Sequence, residues 1–207
     1  MIPRLPIEWK SRVRPPELRV PTLRILLRRF LGTLGLPASE LTLLLTDDPG
    51  IQALNRDHRG LDRPTDILSW SYLPPEVVLD PSQAAPEGVL HLGELALSVE
   101  TTARQARENG WDLFTEAARL LAHGCAHLAG LDHQTPAQER RMLALEVRLL
   151  AAAGLHGLYP AAMPATRRKS PARKTPRESL ARKITARKST TPKPPGRTPA
   201  TRRGKRR

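Results

Sequence analysis

The sequence predicts an α+β fold, in which a small mixed sheet of about four strands is covered by helices, one of them metal-binding. Short apolar runs bounded by turn residues favour strands, and longer segments with apolar residues three and four positions apart favour helices. The composition also changes near residue 159, beyond which Pro, Lys, Arg, Ser and Thr dominate. We therefore expect one folded domain over residues 1–158 and a disordered basic tail over 159–207.

The first half of the predicted domain alternates strands and helices. A short strand at residues 7–9 precedes a helix over 16–34, which Pro21 breaks or opens. An apolar run at 41–45 predicts a buried strand, and residues 49–58 follow as a helix. The apolar residues available for one face of the first helix are Leu23, Ile25, Leu26, Phe30, Leu31 and Leu34.

The second half contains two more strands and three helices. Residues 67–72 and 89–99 read as strands, separated by a Pro-rich loop over 73–88 that is long enough to be mobile. Residues 101–109 form a helix that stops at Gly110, and Asp112 caps a helix that runs to Ala129. A last helix covers 136–153, with Met142, Leu143, Leu145, Val147 and Leu150 as core residues.

Residues 123–133 hold three of the six histidines at a spacing that suits one metal ion. Positions four apart on a helix lie about 40° apart around the axis and roughly 6 Å apart along it, so His123 and His127 face the same way. Gly130 permits a left-handed turn that ends the helix and aims His133 at the same point. Three protein ligands at about 2.0–2.1 Å, with a fourth position left to water, describe a catalytic zinc site. We predict one Zn per chain, although imidazole ligands also suit Ni, Cu, Fe and Co.

Two residues between the histidines limit the choice of metal ligands and of reaction type. Cys125 lies about 200° around the helix from His123 and is expected to be a small buried side chain. The spacing of the histidines is that of the metzincin proteases, but Gly124 stands where those enzymes carry a catalytic Glu. A metallopeptidase is therefore the weakest alternative, and metal-assisted hydrolysis of a phosphodiester remains open.

The basic charge of the chain belongs to its tail. The formal net charge is +14, but residues 166–207 hold 17 of the 34 Lys and Arg and a single acid, Glu178. This segment repeats Ala-Arg-Lys and has no aromatic residue, so it cannot bury enough apolar surface to offset its chain entropy. We expect it to contact RNA electrostatically, and the alternative is a solvated tail that only aids solubility.

A reducing, cytoplasmic setting is expected. One Cys cannot form an internal disulfide, and the sequence shows no apolar run of about 18 residues that would indicate membrane insertion. The tail is basic but lacks the apolar face of a membrane-surface helix.

Four stretches of the sequence match the motifs of one family in the same order. Residues 123–133 match H-G-x-L-H-L-x-G-Y-D-H except at Ala126 and Leu131. Residues 54–70 resemble L-N-x-x-Y-R-x-x-D-x-P-T-D-V-L-S-F, with His58 for Tyr and Trp70 for Phe, and residues 92–98 resemble L-G-D-I-x-I-S, with Glu94 for Asp. Met142 and Glu146 match a fourth motif, M-x-x-x-E. Together these stretches resemble the YbeY-type rRNA maturation factors.

The resemblance implies a zinc-dependent, single-strand-specific endoribonuclease, a hydrolase that acts in 16S rRNA 3′-end maturation and ribosome quality control. Its partners would be the 16S rRNA precursor and the 30S subunit of the ribosome. The alternative from another class is a non-catalytic ribosome assembly factor that binds RNA and whose zinc is structural.

Candidate roles for other residues follow as hypotheses. The resemblance implies that Arg59 matters for activity, and its planar guanidinium can grip phosphate oxygens. Arg56 and Arg63 would extend the nucleic-acid contact. Glu94 or Asp66 would act as base or orient water, although ordinary turn chemistry also accounts for Asp66. The remaining expectations are that Asp132 accepts a hydrogen bond from the ring of a ligand histidine and so fixes its tautomer, and that His58 and His91 are structural.

Overall fold

The computed structural model describes residues 5–79 and 89–159. In these two ranges four strands and five helices follow one another in the chain. They are β1 (Ile7–Trp9), α1 (Val20–Thr33), β2 (Glu40–Thr46), α2 (Asp48–Arg59), β3 (Ile67–Ser71), β4 (His91–Ser98), α3 (Val99–Asn109), α4 (Leu113–Leu128) and α5 (Pro136–Ala152).

The strands form one mixed sheet in the order β1-β2-β4-β3. β1 and β4 each pair with β2 in parallel, and β3 pairs with β4 in antiparallel. β3 is therefore an edge strand, and its last residue, Ser71, lies opposite Gly93 near the start of β4. The predicted α+β fold with a mixed sheet of four strands is confirmed.

The two faces of the sheet are covered by different helices. Alternate strand residues, among them Leu43, Leu95 and Leu97, join the main core with α1, α4 and α5. The residues between them face the other way, where Ala96 and Leu68 pack against Ile51 of α2. Because side chains alternate along a strand, these residues define the two faces of the sheet. The exception is the start of β4, where the pairing with β2 is irregular and Leu92 also joins the main core.

Local capping explains where most of the helices begin and end. Asp47, Ser98, Asp112 and Thr135 each accept a hydrogen bond from a backbone N–H in the first turn of the helix that follows. Gly60 and Gly110 end α2 and α3 in the left-handed conformation. Pro21 opens α1 at its first turn and does not break it.

Two predicted core residues lie on the surface instead. Ile25 of α1 is 53% exposed and Val147 of α5 is 46% exposed. Leu27 and Leu149 are fully buried in their helices. The apolar residues surround more than one face of each helix, so spacing alone did not show which of them faces the core.

Some predictions lie outside the described residues. Almost all of the predicted disordered tail lies in residues 160–207, and most of the predicted mobile loop lies in residues 80–88, and neither range is described. Within the part of the chain that the structure describes, no helix is long and apolar enough to cross a membrane.

Candidate metal centre

The three predicted ligands lie together at the C-terminal end of α4. His123 and His127 are one turn apart on this helix, and the chain then turns at Gly130, whose φ is +88°. The turn brings His133 back, and one ligand atom from each histidine lies within 4.8 Å of the others. Among the described residues, no Asp, Glu or Cys joins this group. The structure thus assembles three protein ligands, the number found in catalytic zinc sites.

The positions of hydrogens on the first two imidazoles can be assigned from their partners. His123 Nδ1 lies 2.8 Å from a carboxylate oxygen of Glu146, and His127 Nδ1 lies 3.0 Å from the carbonyl oxygen of Leu131. Because both partners can only accept, each Nδ1 of the neutral rings carries the hydrogen. Each Nε2 then carries a lone pair that a metal can accept.

These two Nε2 atoms lie 3.2 Å apart. With neither of them carrying a hydrogen, they cannot form a hydrogen bond with each other, and their lone pairs repel unless a cation lies between them. Two nitrogens bound tetrahedrally to one zinc at the usual bond lengths are about 3.3 Å apart. The residues present therefore fit a metal ion of this kind.

Glu146 of α5 orients His123 from behind and is itself held by a buried polar network. Its side chain is 7% exposed, and its second oxygen accepts a hydrogen bond from the hydroxyl of Tyr159. Burial and the nearby Glu146 carboxylate raise the pKa of Tyr159, so the phenol stays protonated and can donate. Arg119, paired with the fully buried Glu116, also lies against Tyr159.

The expectation for Asp132 is wrong. Its carboxylate accepts hydrogen bonds from the backbone N–H of His133 and the side chain of Gln134, so it shapes the turn. Glu146 and the Leu131 carbonyl take the role of fixing the ligand rings. The signal for Glu146 in the sequence was its place four residues after Met142, but nothing local connects it with His123.

Close packing of α4 on the sheet explains why position 124 is a glycine. A Cβ atom at this position would lie 2.7 Å from Leu95 Cδ2 and 2.9 Å from Ile67 Cδ1, because α4 lies directly on the sheet here. A glutamate at this position would therefore point into the apolar core. Cys125 is 1% exposed, as predicted, and burial raises the pKa of its thiol to about 12.

Arg59 is the last residue of α2, at the same end of β3 as the histidines. The ring of its neighbour His58 lies 5.1 Å from the ring of Trp70 on β3. The next residue, Ser71, donates a hydrogen bond to the carbonyl oxygen of Leu128 at the end of the metal helix. A short chain of contacts thus connects the end of α2 with the histidine cluster.

The other two predicted nucleic-acid contacts lie on or just after α2. Arg56 is 54% exposed and pairs with Asp57 and, at 4.0 Å, with Asp62. Arg63 is exposed, and its carbonyl oxygen accepts a hydrogen bond from the side chain of the buried Asn55. His91, also on the surface, lies 3.4 Å from Glu40.

Glu94 and Asp66, the two candidates for the base, both lie outside the group that the histidines form. Glu94 lies opposite Trp70 on the face of the sheet that α2 covers, whereas its neighbour Leu95 faces α4. Strand alternation thus directs Glu94 away from the histidines. Asp66 accepts hydrogen bonds from Thr65 and from the N–H of Ile67, which is the turn chemistry named as its alternative, and a third from Gln105 of α3.

Comparisons with known proteins agree with one another. A family model described as Endoribonuclease YbeY matches residues 21–154. Proteins of the same name are 45% identical in Symbiobacterium thermophilum over 114 residues (55% of this chain, 71% of that protein) and 39% identical in Sphingopyxis alaskensis over 123 residues (59% and 73%). In an Anaeromyxobacter species the identity is 38% over 151 residues (73% of this chain, 70% of that protein).

Proposed function

Because this chain belongs to the YbeY endoribonuclease family, we propose that it is a metal-dependent endoribonuclease that cuts single-stranded RNA. Its role would be rRNA processing, namely 16S rRNA 3′-end maturation and ribosome quality control in the cytoplasm, with the 30S subunit as partner. The observation that carries the proposal is the convergence of His123, His127 and His133 within 4.8 Å, with two rings oriented by acceptors behind them. We propose zinc, one ion per chain, as the metal.

The residues of the chain divide the work around that ion. When bound, a zinc ion supplies Lewis acidity toward a phosphoryl oxygen and activates water for attack on phosphorus. Glu146 and the Leu131 carbonyl hold the imidazoles of His123 and His127 in the binding tautomer. Arg59, at the same end of β3, would grip a phosphate and offset the charge that develops on it.

Two features favour this function over its alternatives. A structural zinc site usually has four protein ligands, whereas three lie together here among the residues described. A metallopeptidase of the metzincin kind needs a carboxylate next to the first ligand, and the space beside Gly124 is filled by Leu95 and Ile67.

The test is a cleavage assay with matched histidine variants. The full chain, loaded with zinc, should cut a single-stranded RNA and the 16S precursor in 30S or 70S particles, and should leave a duplex of the same sequence intact. Chelation should stop cleavage and added zinc should restore it. His133→Ala should be inactive, whereas His156→Ala, an exposed histidine outside the cluster, should keep full activity.

Other results would identify the alternatives. Cleavage that is absent in the wild type, together with 30S binding that depends on the metal, would indicate an assembly factor with a structural zinc. Hydrolysis of a generic peptide substrate that stops on chelation would revive the peptidase.

A further inference from the structure

An aromatic surface lies on the α2 side of β3, at the end of the strand whose opposite face meets the metal helix. It consists of His58 at the end of α2, Trp70 in β3, and Tyr72 directly after β3, and we call these three residues the aromatic platform. Tyr72 is 59% exposed and His58 is also on the surface, whereas Trp70 is half-buried against Leu68 and Ile51. The metal-dependent hydrolysis of RNA proposed above uses none of these rings.

The backbone places the three rings side by side. Trp70 and Tyr72 are two residues apart, and the N–H of Tyr72 still bonds to the carbonyl oxygen of Leu92, so the extended pairing continues past the strand. Their side chains therefore project on the same face, about 7 Å apart along the chain. The ring of His58 packs edge-on against Trp70 at 5.1 Å, with an interplanar angle of 66°.

Glu94 is the polar neighbour of Tyr72 on this surface. It lies on the same face of the sheet, opposite Trp70, and its carboxylate accepts a hydrogen bond from the Tyr72 hydroxyl. This hydrogen bond raises the pKa of Tyr72, so the phenol remains a donor at neutral pH.

The platform and the metal centre are joined through one residue. Ser71, between Trp70 and Tyr72, projects to the opposite face and bonds to the carbonyl oxygen of Leu128, next to His127. β3 is the edge strand, so a chain lying across it can touch both faces. Arg59, the residue after His58, places a basic residue at the end of α2.

We propose that the aromatic platform binds an unpaired nucleobase of the RNA substrate, next to the phosphate that reaches the metal centre. Exposed aromatic rings beside a basic residue are the usual means of holding single-stranded nucleic acid, because every base offers a π face. Bases in a duplex are already stacked and paired, so the platform would favour single strands. The inference deepens the proposed function and rests on it.

The test combines substitution of the platform with removal of a base from the substrate. KM and kcat are measured for the full zinc-loaded chain on a single-stranded RNA, and on RNAs in which one nucleotide at a time near the cleavage position is abasic. Tyr72→Leu should raise KM for the intact RNA about 5- to 150-fold, the range expected for one lost stacking contact. Tyr72→Phe keeps the ring and is the matched control, so it should remain close to the wild type.

The abasic substrates distinguish stacking from a structural effect. For the wild type, one abasic position should raise KM by the same factor as Tyr72→Leu, and the two changes together should cost no more than either alone. His58→Ala, at an exposed position, gives a second variant for the same comparison. Metal content and Tm of each variant should match those of the wild type.

The outcomes separate the two proposals. If the wild type cuts single-stranded RNA but no abasic position couples with Tyr72, the platform is refuted and the nuclease stands. If the wild type cuts no RNA, the proposed function fails and the platform falls with it.

Discussion

Replacing Gly124 by alanine tests the close contact between the metal helix and the sheet. In the interior of a helix, Gly→Ala normally stabilises a protein by about 1 kcal/mol, since glycine loses more backbone entropy on folding. Here the added Cβ would lie 2.7 Å from Leu95 and 2.9 Å from Ile67. Leu95 is 1% exposed and Ile67 is 7% exposed, so neither side chain can move out into solvent.

Forcing one extra carbon into a packed core costs about 1–3 kcal/mol. The overlap outweighs the helix propensity, and we expect Gly124→Ala to lower the free energy of unfolding by up to about 2 kcal/mol. The measurement is equilibrium unfolding of the full chain in urea. Gly32→Ala in α1 is the matched control, because no heavy atom lies within 4 Å of its Cβ position.

The control should be stabilised by up to about 1 kcal/mol. If Gly124→Ala stabilises the protein as much as Gly32→Ala does, the inferred steric conflict at Gly124 is wrong. The structural reason for the missing protease glutamate would then be lost as well.

Three further predictions concern Glu146, the hydrogen bonds around Asp48, and the basic tail. Glu146→Gln should weaken zinc binding about 10- to 100-fold, measured by competition with a chelator, and unchanged affinity would remove Glu146 from the site. Burial alone would raise the pKa of Asp48, but hydrogen bonds from Ser98, Thr101 and Arg104 outweigh it and lower that pKa below its ordinary value of 3.8. The stability from this carboxylate is therefore present above pH 3.8 and is lost as the pH falls below it. In urea unfolding, Asp48→Asn should be less stable at neutral pH and should lose less stability than the wild type on acidification; parallel curves would contradict this. Deleting residues 166–207 should flatten the dependence of RNA affinity on salt, whose slope would be roughly −6 if about half of the tail's charges met phosphates, and an unchanged slope would exclude the tail from binding.

The histidine cluster could be predicted because its geometry is local. Positions four apart on one helix and a glycine three residues later fix where His123, His127 and His133 point, whatever else the chain does. The element boundaries were also close, since capping residues such as Asp112 and Gly110 act within one turn.

What the sequence could not show depends on contacts between distant segments. Glu146 is 23 residues from His123, and only the packing of α5 on α4 brings them together. The same holds for Glu94. Alternation shows that it faces away from Leu95, but which face carries the metal helix is decided by tertiary packing.

The most direct measurement is the rate of RNA cleavage as a function of metal content. Metal-free full-length protein is titrated with zinc, and the bound metal and the initial rate on single-stranded RNA are measured in each sample. The site formed by the three histidines predicts that the rate rises in proportion to bound zinc and reaches its plateau at one ion per chain. A rate that does not change with metal content, or that continues to rise in His133→Ala, would contradict the account.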